Sequence, residues 1–217
     1  MENDNKFIFC FWPLTGTLSL NWLSTIIFLI FIPYNLWFIS NKINLLYNKI
    51  IYILNIEMSM LISYKGMNLF MISIFFFILM NNLLGLIPYV FTSSSHLLFS
   101  LSMALPMWLS FMMFGWINNM NMMFMHLVPI GTPFILMPFM VLIETISNFI
   151  RPGSLAVRLT ANMIAGHLLM SLLGNNSFMM MMILMFMFMI LMSFEIAVSI
   201  IQSYVFMTLT TLYSSEV

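Results

Sequence analysis

The chain has 217 residues, 63% of them hydrophobic and 6% charged, with a formal net charge of zero and a mean hydropathy of +1.07. A soluble domain carries roughly 25% charged residues, so this chain cannot cover its own surface in water. Neutrality without any basic run argues against nucleic-acid binding, and a single cysteine, Cys10, excludes an internal disulfide and supplies no metal pair.

From Gly66 through Ile143 there is no Asp, Glu, Lys or Arg. A spanning helix needs ~20 predominantly apolar residues, so this stretch alone crosses a bilayer more than once. The expectation is an all-α polytopic membrane protein, one membrane domain over 1–217 with no soluble domain, metal or cofactor. The opening MENDNKFIFCFW does not read as a presequence, because Glu2 and Asp4 contradict both the secretory and the transit pattern.

In chain order, the first candidate span is Leu18 to Phe38. Next comes Asn41 to Lys65, in which Lys42, Lys49 and Glu57 fall within one arc at ~100° per residue. It reads as an interfacial helix rather than a span. Asn68 to Tyr89 and Leu97 to Ile117 are charge-free spans joined by the turn-rich PYVFTSSSH. NNMNMMFMHLVPIGTP forms a polar connection over 118–133. A long helix follows from Phe134 to Leu173, then the break GNNS at 174–177, then a last apolar helix ending at TLYSSEV. This gives five to six helices, including the interfacial one and a C-terminal pair of long membrane helices.

Three of the four lysines cluster between residues 42 and 65, and positively charged loops stay on the inner side. The N-terminus then lies outside and the C-terminus inside, with the 118–133 connection inside and GNNS outside.

The stretch SLAVRLTANMIAGHLL, from Ser154, places Arg158 and His167 in apolar and small-residue surroundings. On a helix Glu144, Ser147, Arg151, Ser154, Arg158 and Asn162 fall within ~40° of one line. Such a stripe must face protein or water, and an intramembrane arginine costs at least ~2.5–3.5 kcal/mol. Pro152-Gly153 is expected to kink or locally open the helix just before it. Arginine stays protonated, with a pKa above ~12, and a fixed cation in a proton path is a barrier. Histidine and glutamate, by contrast, take up and release protons. One permanent block thus stands between titratable groups on either side, Glu144 towards the inside and His167 towards the outside.

In the last helix Glu195, Ser199 and Gln202 share a face by their spacing of four and seven. If the two long helices pair antiparallel, one register brings Arg158 to Gln202 and His167 to Glu195, with the turn centred near residue 180.

SLAVRLTANMIAGHLL resembles the signature of subunit a of the F-type ATP synthase in its mitochondrial form. The likeness extends through NNLLGLIPYVFTSSSHLLFSLSMALPMWLSF, HLVPIGTPFILMPFMVLIETISNFIRPGSLAVRL and FEIAVSIIQSYVFMTLTTLYSSEV. The opening MENDNKFIFCFWP departs from the family's usual N-terminus. The resemblance implies a stator proton-channel subunit of the ATP synthase membrane sector, in the mitochondrial inner membrane. Its N-terminus would face the intermembrane space and its C-terminus the matrix. Arg158 corresponds to the arginine that faces the carboxylates of a rotating c-subunit ring, with Asn162, Gln202 and Ser147 as supporting polar groups. His167 and Glu195 match the outer half-channel, and Glu144 matches a carboxylate of the inner one. Proton flow would be coupled to ATP synthesis. The implied partners are the c-ring, other membrane and peripheral-stalk subunits, the bilayer, and protons as the transported ion. The two long helices would lie steeply tilted along the ring.

No phosphate-binding loop motif appears, so nucleotide chemistry belongs to other subunits. Asn81-Asn82, Ser93 to Ser95 and His96 serve either as turn and cap residues or as lining of an outer uptake route. His126 reads as a solvated or capping residue, and the Met run 179–192 as filler facing lipid or other helices. The rival class is a subunit of another respiratory complex, or a secondary transporter with Arg158 binding an anionic substrate. Transporters usually show internal repeats, and none is evident here.

Overall fold

The computed structural model describes residues 20–31, 41–62, 65–87, 90–128, 131–174 and 181–215. Among these, seven α-helices occur: α1 Ser24–Phe31, α2 Lys42–Leu61, α3 Lys65–Gly85, α4 Leu97–Asn118, α5 Met120–Leu127, α6 Met137–Gly174 and α7 Met181–Ser215. Short 3-10 turns at Leu20–Leu23, Ser93–Ser95 and Phe134–Leu136 lead into α1, α4 and α6.

The all-α membrane architecture read from composition is the one observed. Segments Gly66–Gly85, Leu97–Asn118, Phe134–Gly174 and Leu184–Ser215 are long and apolar enough to cross a membrane. The first expected span begins in the turn at Leu20–Leu23 and in α1, while 32–38 lie outside the described residues. So does most of GNNS and the expected turn centre near residue 180. The helix α2 keeps too much polarity to count as a span, as its charges led us to expect. It packs along α3, burying Leu54 and Met58 and setting Tyr47 4.8 Å from Phe76, ring centre to ring centre. Within the polar 118–133 connection, Met120–Leu127 forms a short helix, α5, directly after α4. Its Asn residues read as loop, yet its run of methionines is good helix former.

The core lies where α2, α3, α4, α6 and α7 meet, around Met58, Met71, Ile78, Ala104, Leu159 and Phe206. Lipid offers apolar surface as good as the core, so helices in a bilayer associate through close packing of small residues. Accordingly Ala156 and Ala104 are almost wholly buried, whereas Leu, Ile and Phe are widely exposed. Buried hydroxyls on α7 are satisfied locally: Ser199, Ser203 and Thr211 donate to carbonyls three residues back at 2.7–2.8 Å.

At 38 and 35 residues, α6 and α7 measure about 57 and 52 Å at 1.5 Å per residue. The hydrocarbon layer is ~30 Å thick, and helices longer than it is accommodate by tilting. Gly131, with φ of 99°, turns the chain into α6 in a conformation that favours glycine. Beyond it α6 runs unbroken through Pro152 and Gly153, so the local opening expected there does not occur. In apolar surroundings, keeping the rest of the helical ladder intact satisfies every other backbone group.

Candidate functional site

Along α7 the buried positions are Glu195, Ser199, Gln202, Ser203, Phe206, Met207, Thr210 and Thr211. This is one continuous helical face, polar towards its N-terminal end, and it carries the Glu195–Ser199–Gln202 spacing seen in the sequence. It meets α6 in the antiparallel register read there. The Asn162 side-chain amide donates to Gln202 Oε1 at 2.9 Å, so the partner of Gln202 is Asn162 rather than Arg158, one turn away. At the other end the Glu195 carboxyl lies over Gly166. A β-carbon on that glycine would stand 2.9 Å from Glu195 Cδ and 3.0 Å from each carboxyl oxygen. The side chain next to Gly166, His167, hydrogen-bonds the backbone of Gly85 on α3.

Glu195 is 8% exposed, and neither carboxyl oxygen has a hydrogen-bond partner; His167 Nε2 and Gln202 Nε2 are likewise buried without one. Buried polar groups normally find partners, so each exception needs an explanation. Three such groups within one helix seam mark a place kept for chemistry or water rather than for packing.

Arg158 lies elsewhere on α6. The buried side of that helix is Pro152, Leu155, Ala156, Leu159, Thr160 and Met163. Arg158 is exposed, with Ser154, Val157, Ala161, Asn162 and Ala165 around it. The guanidinium therefore projects from a surface of mostly small side chains on which another helix can approach closely.

Towards the N-terminal end of α6, Glu144 and Arg151 form an ion pair at 3.5 Å. The Arg151 guanidinium also stands 5.2 Å from the centre of the Tyr213 ring, a cation–π distance. Both charges line a cleft of about 410 Å³ with Trp108, Thr145, Asn148 and Tyr213. Ser147 is half-buried and spends its hydroxyl hydrogen on the Glu144 carbonyl, at 2.8 Å. An ion pair this exposed is worth only about 0.2–1 kcal/mol, so it leaves the Glu144 carboxylate available in an open cleft.

A further polar cluster surrounds Gly85. Asn81, Asn82 and Thr92 to Ser95 are all buried, with Ser93 Oγ donating to Asn81 Oδ1 at 3.4 Å. The amide of Asn82 and the hydroxyl of Ser94 have no partner. His96, in the loop before α4, stacks on Phe91 at 5.1 Å and lies 5.7 Å from Trp22; burial pushes its imidazole below the usual histidine range. Position 126 falls in α5, and its side chain lies outside the described residues. Sequence reasoning missed Gly85, Trp108 and Tyr213, and it took Gly166 only as a small residue beside Arg158, not as the gap for Glu195. Gly85 and Gly166 act through a backbone group and through the absence of a side chain, neither of which leaves a chemical mark in a sequence.

The model of the family described as the ATP synthase A chain matches residues 17–215. The chain belongs to that family. ATP synthase subunit a of Locusta migratoria is 56% identical over 207 residues, covering 92% of each chain. The proteins of the same name from Anopheles quadrimaculatus and Drosophila melanogaster are 54% and 55% identical over 208 and 206 residues, again with 92% coverage of both. The atypical opening falls wholly before the matched span. Membership makes the chain the proton-channel stator subunit of the ATP synthase, a multi-pass inner-membrane protein working in ATP synthesis and proton transport. The alternatives of a respiratory-complex subunit or a secondary transporter are not favoured.

Proposed function

We propose that the chain carries two offset half-channels that meet a ring of c subunits on the surface around Arg158. It would sit in the mitochondrial inner membrane with its N-terminus towards the intermembrane space and its C-terminus towards the matrix. Other membrane and peripheral-stalk subunits would hold it against the ring.

Protons enter past Asn82, Ser94 and His167 to Glu195, and pass to a ring carboxylate beside the Asn162–Gln202 bond. After a turn of the ring they leave through the cleft that contains Glu144, with Ser147 behind it. Arg158 holds each deprotonated ring carboxylate and blocks a direct leak. The observation that supports this most is the placement of Arg158. It is exposed on a small-residue surface, about 13 Å of helix rise from His167 and about 21 Å from Glu144. The chain thus offers titratable groups on both sides of a cation that cannot pass a proton on.

An arginine–carboxylate pair at ~4 Å attracts by ~4 kcal/mol at an effective dielectric near 20. That is strong enough to draw a proton off an arriving ring carboxyl and weak enough for exchange. Each charge crossing gains ~2.3 kcal/mol per 100 mV, which biases the direction of rotation. In the assembled complex, Arg158→Ala is expected to abolish proton-driven ATP synthesis while the subunit stays inserted. Substantial synthesis by such a complex overturns the reading.

A further inference from the structure

Away from the α6–α7 seam, a second cleft of about 870 Å³ lies between α1, α2 and α3 and reaches Met103 of α4. We propose that it binds a phospholipid whose headgroup carries an N–H donor, a phosphatidylethanolamine, with one acyl chain in its apolar part.

Polarity grades along the cleft. Near the Ile62–Lys65 connection, where α2 and α3 are joined, it is lined by Asn55, Ser59 and Asn68; nine residues further along α3, about 13 Å by helix rise, it is lined by Phe76 and Phe77, with Leu29 and Met103 across from them. Asn68 opens a spanning segment that begins at Gly66, so the polar end lies at headgroup depth and the apolar end among acyl chains.

One acceptor at the polar end lacks a donor. Asn68 is 4% exposed, and its Oδ1 is buried without a hydrogen-bond partner. Ser59 and Ser73 already give their hydroxyl hydrogens to the carbonyls of Ile56 and Phe70, which leaves their oxygens as acceptors. Among the described lining residues none is Lys, Arg, Asp or Glu. A trimethylammonium group would have no hydrogen to give to Asn68. A primary ammonium satisfies the acceptor, and its own phosphate balances its charge. Burial pushes the Tyr47 phenol up, so that lining hydroxyl stays neutral.

The test uses the intact ATP synthase complex in vesicles containing either phosphatidylethanolamine or phosphatidylcholine with the same photoreactive acyl chain. Cross-links are mapped to residues 66–77 and 97–107. The ethanolamine lipid is expected to label them about threefold to tenfold more than the choline lipid, the effect of one buried hydrogen bond. Asn68→Leu should remove that preference while acyl-chain labelling persists, and Met103→Trp, which fills the apolar end, should remove labelling by both lipids. Equal labelling of the unaltered complex, no labelling, or a preference that survives Asn68→Leu each overturns the proposal. ATP synthesis by Asn68→Leu confirms that the variant has assembled.

Discussion

Two glycines set the places of Glu195 and His167, whose side chains make no hydrogen bond to each other. Gly85 presents a backbone group to His167, and Gly166 leaves the room that the Glu195 carboxyl occupies. A methyl at position 166 would come within 2.9 Å of the carboxyl carbon, which sits at the end of a flexible side chain and can swing aside. Gly166→Ala is therefore expected to fold and assemble while displacing Glu195. Because a displacement of 1 Å at a reacting group can cost ~100-fold, ATP synthesis should fall about tenfold to a hundredfold with normal subunit levels on a blot. A wild-type rate would mean that the position of Glu195 is unimportant. The pair itself can be probed by exchange. If protons pass between them, as proposed, the two residues titrate as a unit, so His167→Glu combined with Glu195→His should retain more ATP synthesis than either single change. The measurement is a double-mutant cycle under a fixed proton gradient. A double variant showing only the sum of the two single losses would falsify the proposed pairing.

At the scale of elements, α6 places three groups of candidate site residues along its length. Its first turns hold the Glu144–Arg151 cleft, its middle carries Arg158, and its end carries Gly166 and His167. The Glu144–Arg151 contact separates two readings of the cleft. If Glu144 only partners Arg151, then Glu144→Gln and Arg151→Gln remove the same weak pair and should do equal, slight harm. If Glu144 accepts protons leaving the ring, Glu144→Gln should slow ATP synthesis severalfold more than Arg151→Gln. That excess should vary with pH on the inner side and not on the outer. The spacing of α6 and α7 was legible because the 3.6-residue period repeats in each helix separately, and their antiparallel register followed from matching two polar positions. The place of α5 was not legible, since Asn and Met residues near a chain turn suit a short helix and a loop about equally.

For the whole molecule, the membrane class, the long C-terminal helices and the family were all written in the sequence. Composition decides the solvent, length decides what can span it, and the signature around Arg158 is continuous along the chain. The stripe from Glu144 to Asn162 was likewise readable, because residues on one helix face are related by local geometry alone. Tertiary structure decided the rest. Which backbone group meets His167, which helix offers a gap for Glu195, and which aromatic ring backs Arg151 all depend on contacts between distant segments. The Asn162–Gln202 bond shows the boundary between the two: each residue's face was set by its own helix, but the contacts made between α6 and α7 gave Gln202 to Asn162 and left Arg158 exposed. Helical periodicity fixes direction around an axis to within a fraction of a turn. Only the packing of side chains between helices fixes position along it.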